Sequence, residues 1–235
     1  MALSFGKREN ESQPTPVRPL GAAPAASPVQ PLGAHAASQA AQAASHPVKI
    51  DNCGVTLQFE QAPKSAVTIG QAGTEMLYAL GVGDKVVGTA LWFNPVQPQF
   101  ESINAKVPRL ADDIPSFESV INKRPGLVVS QFEWMVGKNG VVGTREQFKE
   151  INIPVYAMPT DCEGKDNETG ADGTRKTAFH VDTLYKSITQ LAAIFGVQPK
   201  GEALVKELKE REAKAVAKVK NAHLKDLSAV LWLSS

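Results

Sequence analysis

The feature that most constrains this fold is a compact β-branched run that ends at a glycine turn and leads into a helix, an order that then repeats down the chain. Ala66-Val67-Thr68-Ile69 has the make-up of a buried strand, and Gly70-Gln71-Ala72-Gly73 breaks it. A short helix over Thr74–Leu80 follows and is stopped by Gly81, the residue type that best tolerates left-handed backbone at a helix end. Val86-Val87-Gly88-Thr89-Ala90 supplies the next strand, Leu127-Val128-Val129 a third ending at Ser130, and Pro154 to Met158 a fourth. Strands separated by helical stretches, and not by tight turns, are the pattern of a parallel sheet with helical crossovers.

The intervening helices carry their own signals. Pro115-Ser116-Phe117-Glu118 opens one that holds Val120 and Ile121. Thr144 with Gln147 three residues on is a capping-box spacing for another, running to about Ile151. Val181 to Phe195 places Leu184, Ile188, Leu191 and Ile194 at helical spacing, and about Lys200 to Ala222 is a long, heavily charged helix. Before the first unit, Val48 and Ile50, then Asp51-Asn52-Cys53-Gly54, then Val55, Leu57 and Phe59 read as an antiparallel hairpin. Asp161 to Lys176 is a polar, glycine-containing loop of the length that is usually functional or mobile. Ala229-Val230-Leu231-Trp232-Leu233 reads as a further buried strand, whose missing neighbours imply an expectation of further sequence.

Residues 1–45 are rich in Ala, Pro, Ser and Gln and have too little bulky apolar surface to offset ordering, so they read as a disordered linker, with His35 and His46 incidental to it. Met1 to Leu20 contains Lys7, Arg8, Glu9, Glu11 and three prolines, without the apolar segment expected of a secretory signal. No apolar run reaches the length of a membrane-spanning helix. Twenty-five Lys plus Arg against 24 Asp plus Glu leave a net charge of +1, so no bulk field attracts nucleic acid or an anionic membrane. Cys53 and Cys162 are the only cysteines, and their spacing suits either one disulfide or two buried thiols.

Several stretches together resemble the class III periplasmic substrate-binding proteins, which serve siderophore, haem and cobalamin importers of the ATP-binding-cassette type. They are Thr68-Ile69-Gly70 leading into Thr74 through Gly88, Pro115 through Val120 followed by Arg124 through Val129, and Leu191 through Val197 running into the long charged helix. The resemblance implies a Rossmann-like α/β N-terminal lobe over residues 46–198 and a rigid spine helix over 199–223. It also implies the start of a second lobe, truncated, over 224–235. Members carry an export signal or lipoprotein cysteine, so a periplasmic or cell-surface location is expected of the full-length parent. The implied function is a monomeric, non-catalytic receptor that delivers an iron(III)-siderophore complex to a membrane permease. Cobalamin or haem is the alternative ligand.

In α/β units ligands lie beyond the carboxyl ends of the strands. That rule selects Gly70, Gln71 and Thr74 after the first strand, Trp92 and Phe93 after the second, and Gln131, Phe132 and Trp134 after the third. Gly70 and Gly73 would let backbone approach a bulky ligand, with the amides near Thr74 as donors to an oxygen-rich chelate. The rings could stack on a flat or chelated ligand, and Arg175 in the polar loop could pair with an anionic one. Tyr156 reads as core. Glu118 sits where a helix dipole favours a carboxylate, and the resemblance implies that it docks into an arginine pocket of the permease. The resemblance and the export it implies also favour a Cys53–Cys162 disulfide.

Two other function classes fit the sequence less well. A doubly wound α/β enzyme using Ser130 or Asp161 lacks partners, since the folded region offers only His180 and His223, and no nucleophile elbow, Walker A lysine, His-Glu-x-x-His or Cys-x-x-Cys is found. A zinc receptor would want three or four clustered ligands, for which those two histidines are too few.

Overall fold

The computed structural model describes residues 46–167 and 173–222. The expected linker over 1–45 and the expected strand over Ala229–Leu233 lie outside them. The chain opens with the hairpin β1 (Val48–Asn52) and β2 (Val55–Phe59), paired antiparallel. Its two-residue turn, Cys53-Gly54, has φ of 51° and 79°, the twist that a tight hairpin connection needs. His46, assigned to the linker on composition, instead places its Nε2 3.1 Å from the Ile194 carbonyl and so belongs with the folded lobe.

Then come β3 (Ala66–Ile69), α1 (Gln71–Ala79), β4 (Val86–Ala90), α2 (Glu101–Asn104), β5 (Arg109–Ala111), α3 (Phe117–Ile121) and β6 (Val128–Ser130). They are followed by α4 (Arg145–Glu150), β7 (Val155–Ala157), the small hairpin β8 (Lys165–Asp166) and β9 (Thr174–Arg175), α5 (Asp182–Ile194) and α6 (Gln198–Asn221). β3 to β7 form one parallel five-stranded sheet in the order β5-β4-β3-β6-β7. This is the α/β architecture that the strand and helix order implies. β5 lay unrecognised in a long connection.

The pleat sends alternate residues to two cores. Ala66, Val129 and Tyr156 face a core shared with α1, α5, α6 and the hairpin residues Leu57 and Phe59. Val67, Val128 and Val155 face a second core with Val120, Phe148, Met135 and Ile153. Every residue of β3, β6 and β7 is buried, which is why these strands read as continuous apolar runs and not as alternating ones. The Thr144 capping box is present with both of its reciprocal bonds, so α4 starts where its sequence signature places it.

α6 is 24 residues long, roughly 36 Å at the usual rise per residue. It is anchored as far as Glu212. Gly201 sits against α5, where an added Cβ would fall 2.5 Å from the Ala192 Cβ, so glycine is what permits this close crossing. Leu204, Val205 and Leu208 pack on the core, and the Tyr185 hydroxyl donates to Glu212 Oε2 at 2.7 Å. From Lys209 to Asn221 every residue is exposed, including Val216 and Val219. Among the described residues no helix is long and apolar enough to cross a membrane.

All three tyrosines are shifted upward, Tyr78 and Tyr156 chiefly by burial and Tyr185 first by its hydrogen bond to Glu212. Burial pushes the Tyr78 phenol up to about 12, and the fully buried Tyr156, which donates to Gln190 Oε1 at 2.9 Å, higher still. Both folded-state values lie above the unfolded one. Their contribution is therefore intact below the unfolded phenol value and is lost as pH rises toward about 12. Phenolate absorbance followed against circular dichroism is expected to show Tyr156 releasing its proton only as the lobe unfolds.

Candidate functional site: an aromatic crevice at the strand switch point

The sheet order reverses between β3 and β6: β4 and β5 continue on one side of β3, and β6 and β7 on the other. Loops leaving such a pair diverge to opposite faces and open a crevice beyond the strand ends. Three segments border it: Gly70 after β3, Leu91 to Gln97 after β4, and Gln131 to Met135 after β6.

Their rings form a row. The Phe93 and Phe132 centroids are 6.3 Å apart with the rings near perpendicular, and Phe132 stacks on Trp134 at 6.1 Å. Phe93 is 62% exposed, which is unusual for a phenylalanine without a partner, while Phe132 and Trp134 are half-buried. Trp92 plays a different part. Its indole N–H donates to Thr89 Oγ1 at 3.0 Å and the Arg109 guanidinium covers its ring at 4.5 Å, so it braces the loop from behind. The chain reaches it through Leu91, a buried residue held at φ 60°, a conformation that bulky side chains rarely adopt.

Helix α1 fixes the Phe93 loop through two side chains. Gln71 Oε1 accepts from the Asn94 amide at 3.0 Å, and its Nε2 donates to the Pro95 carbonyl at 3.3 Å. Glu75 accepts from the Gln97 amide and from Gln97 Nε2, each at 2.9 Å. Gln71 is thus a loop clamp, and Glu75 is a residue that sequence reading missed. Its signal was faint: one glutamate a helical turn beyond Gln71.

The start of α1 differs from expectation. The helix begins at Gln71 and not Thr74, so only Gly70 makes the turn, at φ 118°. Gly73 lies inside the helix because it packs on Val129, whose Cγ1 would stand 3.2 Å from an added Cβ. Thr74 is fully buried, its amide donates to the Gly70 carbonyl, and its hydroxyl lies 2.7 and 2.8 Å from those of Thr68 and Thr89. The polar atoms of Thr74, a residue expected at the ligand, thus hold α1 to β3 and β4. One amide of the helix start is also taken, since Gln131 Oε1 accepts from the Ala72 amide at 3.0 Å.

Gln131 occupies the space over Gly70, where an added Cβ would stand 2.3 Å from the Gln131 Cβ. Gly70→Ala is expected to cost about 2 kcal/mol or more, from both the left-handed backbone and the displaced Gln131 cap, as read by urea unfolding.

The Trp134 loop is held by a polar network. The Glu133 amide donates to Asp161 Oδ2 at 2.8 Å, and Asp161 pairs with Lys165. The Glu133 carboxylate pairs with Arg145 at 2.8 Å, with both side chains largely buried. Arg145 also donates to the Val155 carbonyl at 2.8 Å and reaches Asn52 Oδ1 at 3.5 Å. Asn52, fully buried, joins the hairpin to the sheet by donating to the Ala157 carbonyl at 2.6 Å and accepting from its amide at 2.9 Å. Beside it Cys53 and Cys162 form a disulfide with Cα atoms 5.6 Å apart, which settles the choice that spacing left open. An open cavity of about 900 Å³ lies against Trp134, bordered by both cysteines, Lys138, Glu163 and Lys165.

Two site residues lie apart from the row. Arg175, on β9, donates to the Thr160 carbonyl at 2.7 Å and lies 5.4 Å from the Phe179 ring, so its guanidinium is committed to its own loop. Glu118, in the first turn of α3, is exposed and ion-paired with no described residue. Among the described residues no group of three or more His, Cys, Asp and Glu side chains is placed to hold a metal ion.

A sequence model of a family described as periplasmic binding protein matches residues 67–235. An uncharacterised ABC transporter substrate-binding lipoprotein of Bacillus subtilis (strain 168) is 30% identical over 181 residues, 73% of this chain and 49% of that protein. Among solved structures, that of an ABC-type Fe3+-hydroxamate transport system from Saccharomonospora viridis DSM 43017 aligns with a TM-score of 0.57 and 27% identity, covering 72% of this chain and 55% of the other. A periplasmic binding protein from Veillonella parvula aligns with a TM-score of 0.57 and 25% identity, over 77% of this chain and 54% of its own. The chain thus spans about half the length of the relatives it matches.

Proposed function

Because the chain belongs to the periplasmic binding proteins, a family of transport receptors and not of enzymes, we propose that it supplies one half of a pocket that captures an iron(III)-siderophore complex for an ABC importer. The observation that carries this reading is the row of exposed Phe93 and half-buried Phe132 and Trp134 at the switch-point crevice, braced by Trp92 and clamped by Gln71. Rigid rings meet a bulky ligand at low entropic cost, and a receptor that must release its cargo needs no reactive group. The Fe3+-hydroxamate system among the similar structures favours the same ligand class.

In this reading the protein works outside the cytoplasm, which its similarity to a substrate-binding lipoprotein supports, and its partner is a membrane permease. Glu118, exposed and without an ion pair among the described residues, is the docking carboxylate for permease arginines. Helix α6 is the strut that leads from this lobe toward a facing lobe, and its exposed second half is where that lobe would sit. The disulfide between Cys53 and Cys162 suits an oxidising compartment.

The test is tryptophan fluorescence during titration with ferric siderophores, haem and cobalamin. Saturable quenching by a ferric siderophore, weakened about tenfold by Phe132→Ala, is expected. Saturation by haem or cobalamin alone would move the protein to another ligand class, and no response to any would remove the receptor reading.

A further inference from the structure

We infer that Glu75 is a positioning residue for ligand capture: its carboxylate holds the middle of the loop after β4, so that Phe93 stands presented before a ligand arrives. This rests on the receptor reading above and deepens it, since it names what sets the affinity of that site.

The loop is fixed at both ends by packing. Leu91 is buried and Trp92 is braced by Thr89 and Arg109, while Phe100 meets the Tyr78 ring edge-on at 5.7 Å. Between these ends Phe93, Asn94, Pro95 and Gln97 are exposed and Val96 is half-buried, so burial contributes little to holding the stretch. Among the described residues, the hydrogen bonds that join residues 93–97 to the rest of the lobe all end on Gln71 and Glu75.

The two anchors are unequal. Gln71 meets the loop through neutral amide atoms, at 3.0 and 3.3 Å. Glu75 takes the Gln97 amide on one carboxylate oxygen and Gln97 Nε2 on the other, each at 2.9 Å, and hydrogen bonds to a carboxylate are about twice as strong as neutral ones. It also accepts from Gln71 Nε2 at 3.3 Å, so it orders its fellow clamp as well as the loop. None of this requires Glu75 to touch the ligand. A ring that must be ordered on binding costs affinity in proportion: a loop in the presented form about a tenth of the time binds about tenfold more weakly than one always in it.

The test compares the unaltered 235-residue chain with Glu75→Ala, Glu75→Gln, Phe93→Ala and the double variant Glu75→Ala with Phe93→Ala. Without ligand, Glu75→Ala is expected to speed amide hydrogen exchange at Asn94 and Gln97 at least about tenfold while leaving the urea midpoint unchanged, because the bonds lost lie at the surface. Tryptophan quenching is then titrated with a ferric trihydroxamate, a ferric tricatecholate, haem and cobalamin, and affinities are compared for the probe that saturates the unaltered chain. Glu75→Ala and Phe93→Ala are each expected to weaken binding about tenfold, and the double variant about tenfold also, since without the ring there is nothing left to position. Glu75→Gln, which keeps an acceptor for the Gln97 amide, is expected to stay within about threefold of the unaltered chain. Unchanged exchange, unchanged affinity, a loss equally large in the Phe93→Ala background, or a loss matched by a lowered urea midpoint would each overturn the inference and leave the receptor reading in place. Saturation by none of the four probes removes the receptor reading and this inference with it.

Discussion

Replacing Cys53 and Cys162 together by serine is expected to lower the unfolding free energy of the lobe by roughly 4 to 5 kcal/mol. The bond closes a loop of 109 residues, nearly the whole of the sheet, so its removal returns a large conformational freedom to the unfolded chain. Its position adds a local effect. Cys53 forms the hairpin turn and Cys162 lies one residue past Asp161, which carries the Glu133 amide, so the bond staples the hairpin to the segment that supports Trp134. Urea unfolding of the oxidised protein, of the same protein in thiol reductant, and of the double serine variant should give one high midpoint and two similar low ones. Equal midpoints in all three would show that Asn52 and Arg145 suffice to hold the hairpin.

Arg145→Met is expected to cost roughly 3 to 5 kcal/mol, because it strands a charge in place of removing a pair. Glu133 would keep a largely buried carboxylate without its partner, and the Val155 carbonyl and Asn52 Oδ1 would each lose a donor. The double variant Arg145→Met with Glu133→Leu is expected to recover most of that loss, since two apolar side chains of similar volume can replace a buried ion pair at little cost. Chelate affinity separates the roles further. The single variant should weaken binding as well as folding, because Trp134 follows Glu133 directly.

What could be read from the sequence was local. The Thr144–Gln147 capping box needs four consecutive residues, and the buried strands announce themselves by β-branched runs, so α4, β3, β6 and β7 were legible. β5 was not, because Arg109–Ala111 is a three-residue edge strand that carries a charge and borders no glycine turn. Gly73 misled for a physical reason. A glycine marks either a turn or a close approach, and here it is the close approach of α1 to Val129.

The rings of the crevice were legible because they follow strand ends, yet their division of labour was not. That Trp92 braces while Phe93 is presented depends on Arg109 and Thr89, and that Gln131 caps α1 depends on a contact 59 residues away. Arg145 and Glu133, 12 residues apart, carried no spacing signal for a pair. Spacing alone leaves the disulfide one of two readings, the family resemblance favours it, and the fold brings the two cysteines together.

The decisive measurement is paramagnetic broadening in amide and indole NMR spectra, comparing a ferric trihydroxamate with its diamagnetic gallium(III) analogue. Loss of signal confined to Trp92, Phe93, Phe132, Trp134 and their neighbours is expected if the crevice holds the chelate. Broadening centred on the exposed half of α6 or on the β1–β2 turn, with those rings unaffected, would contradict it.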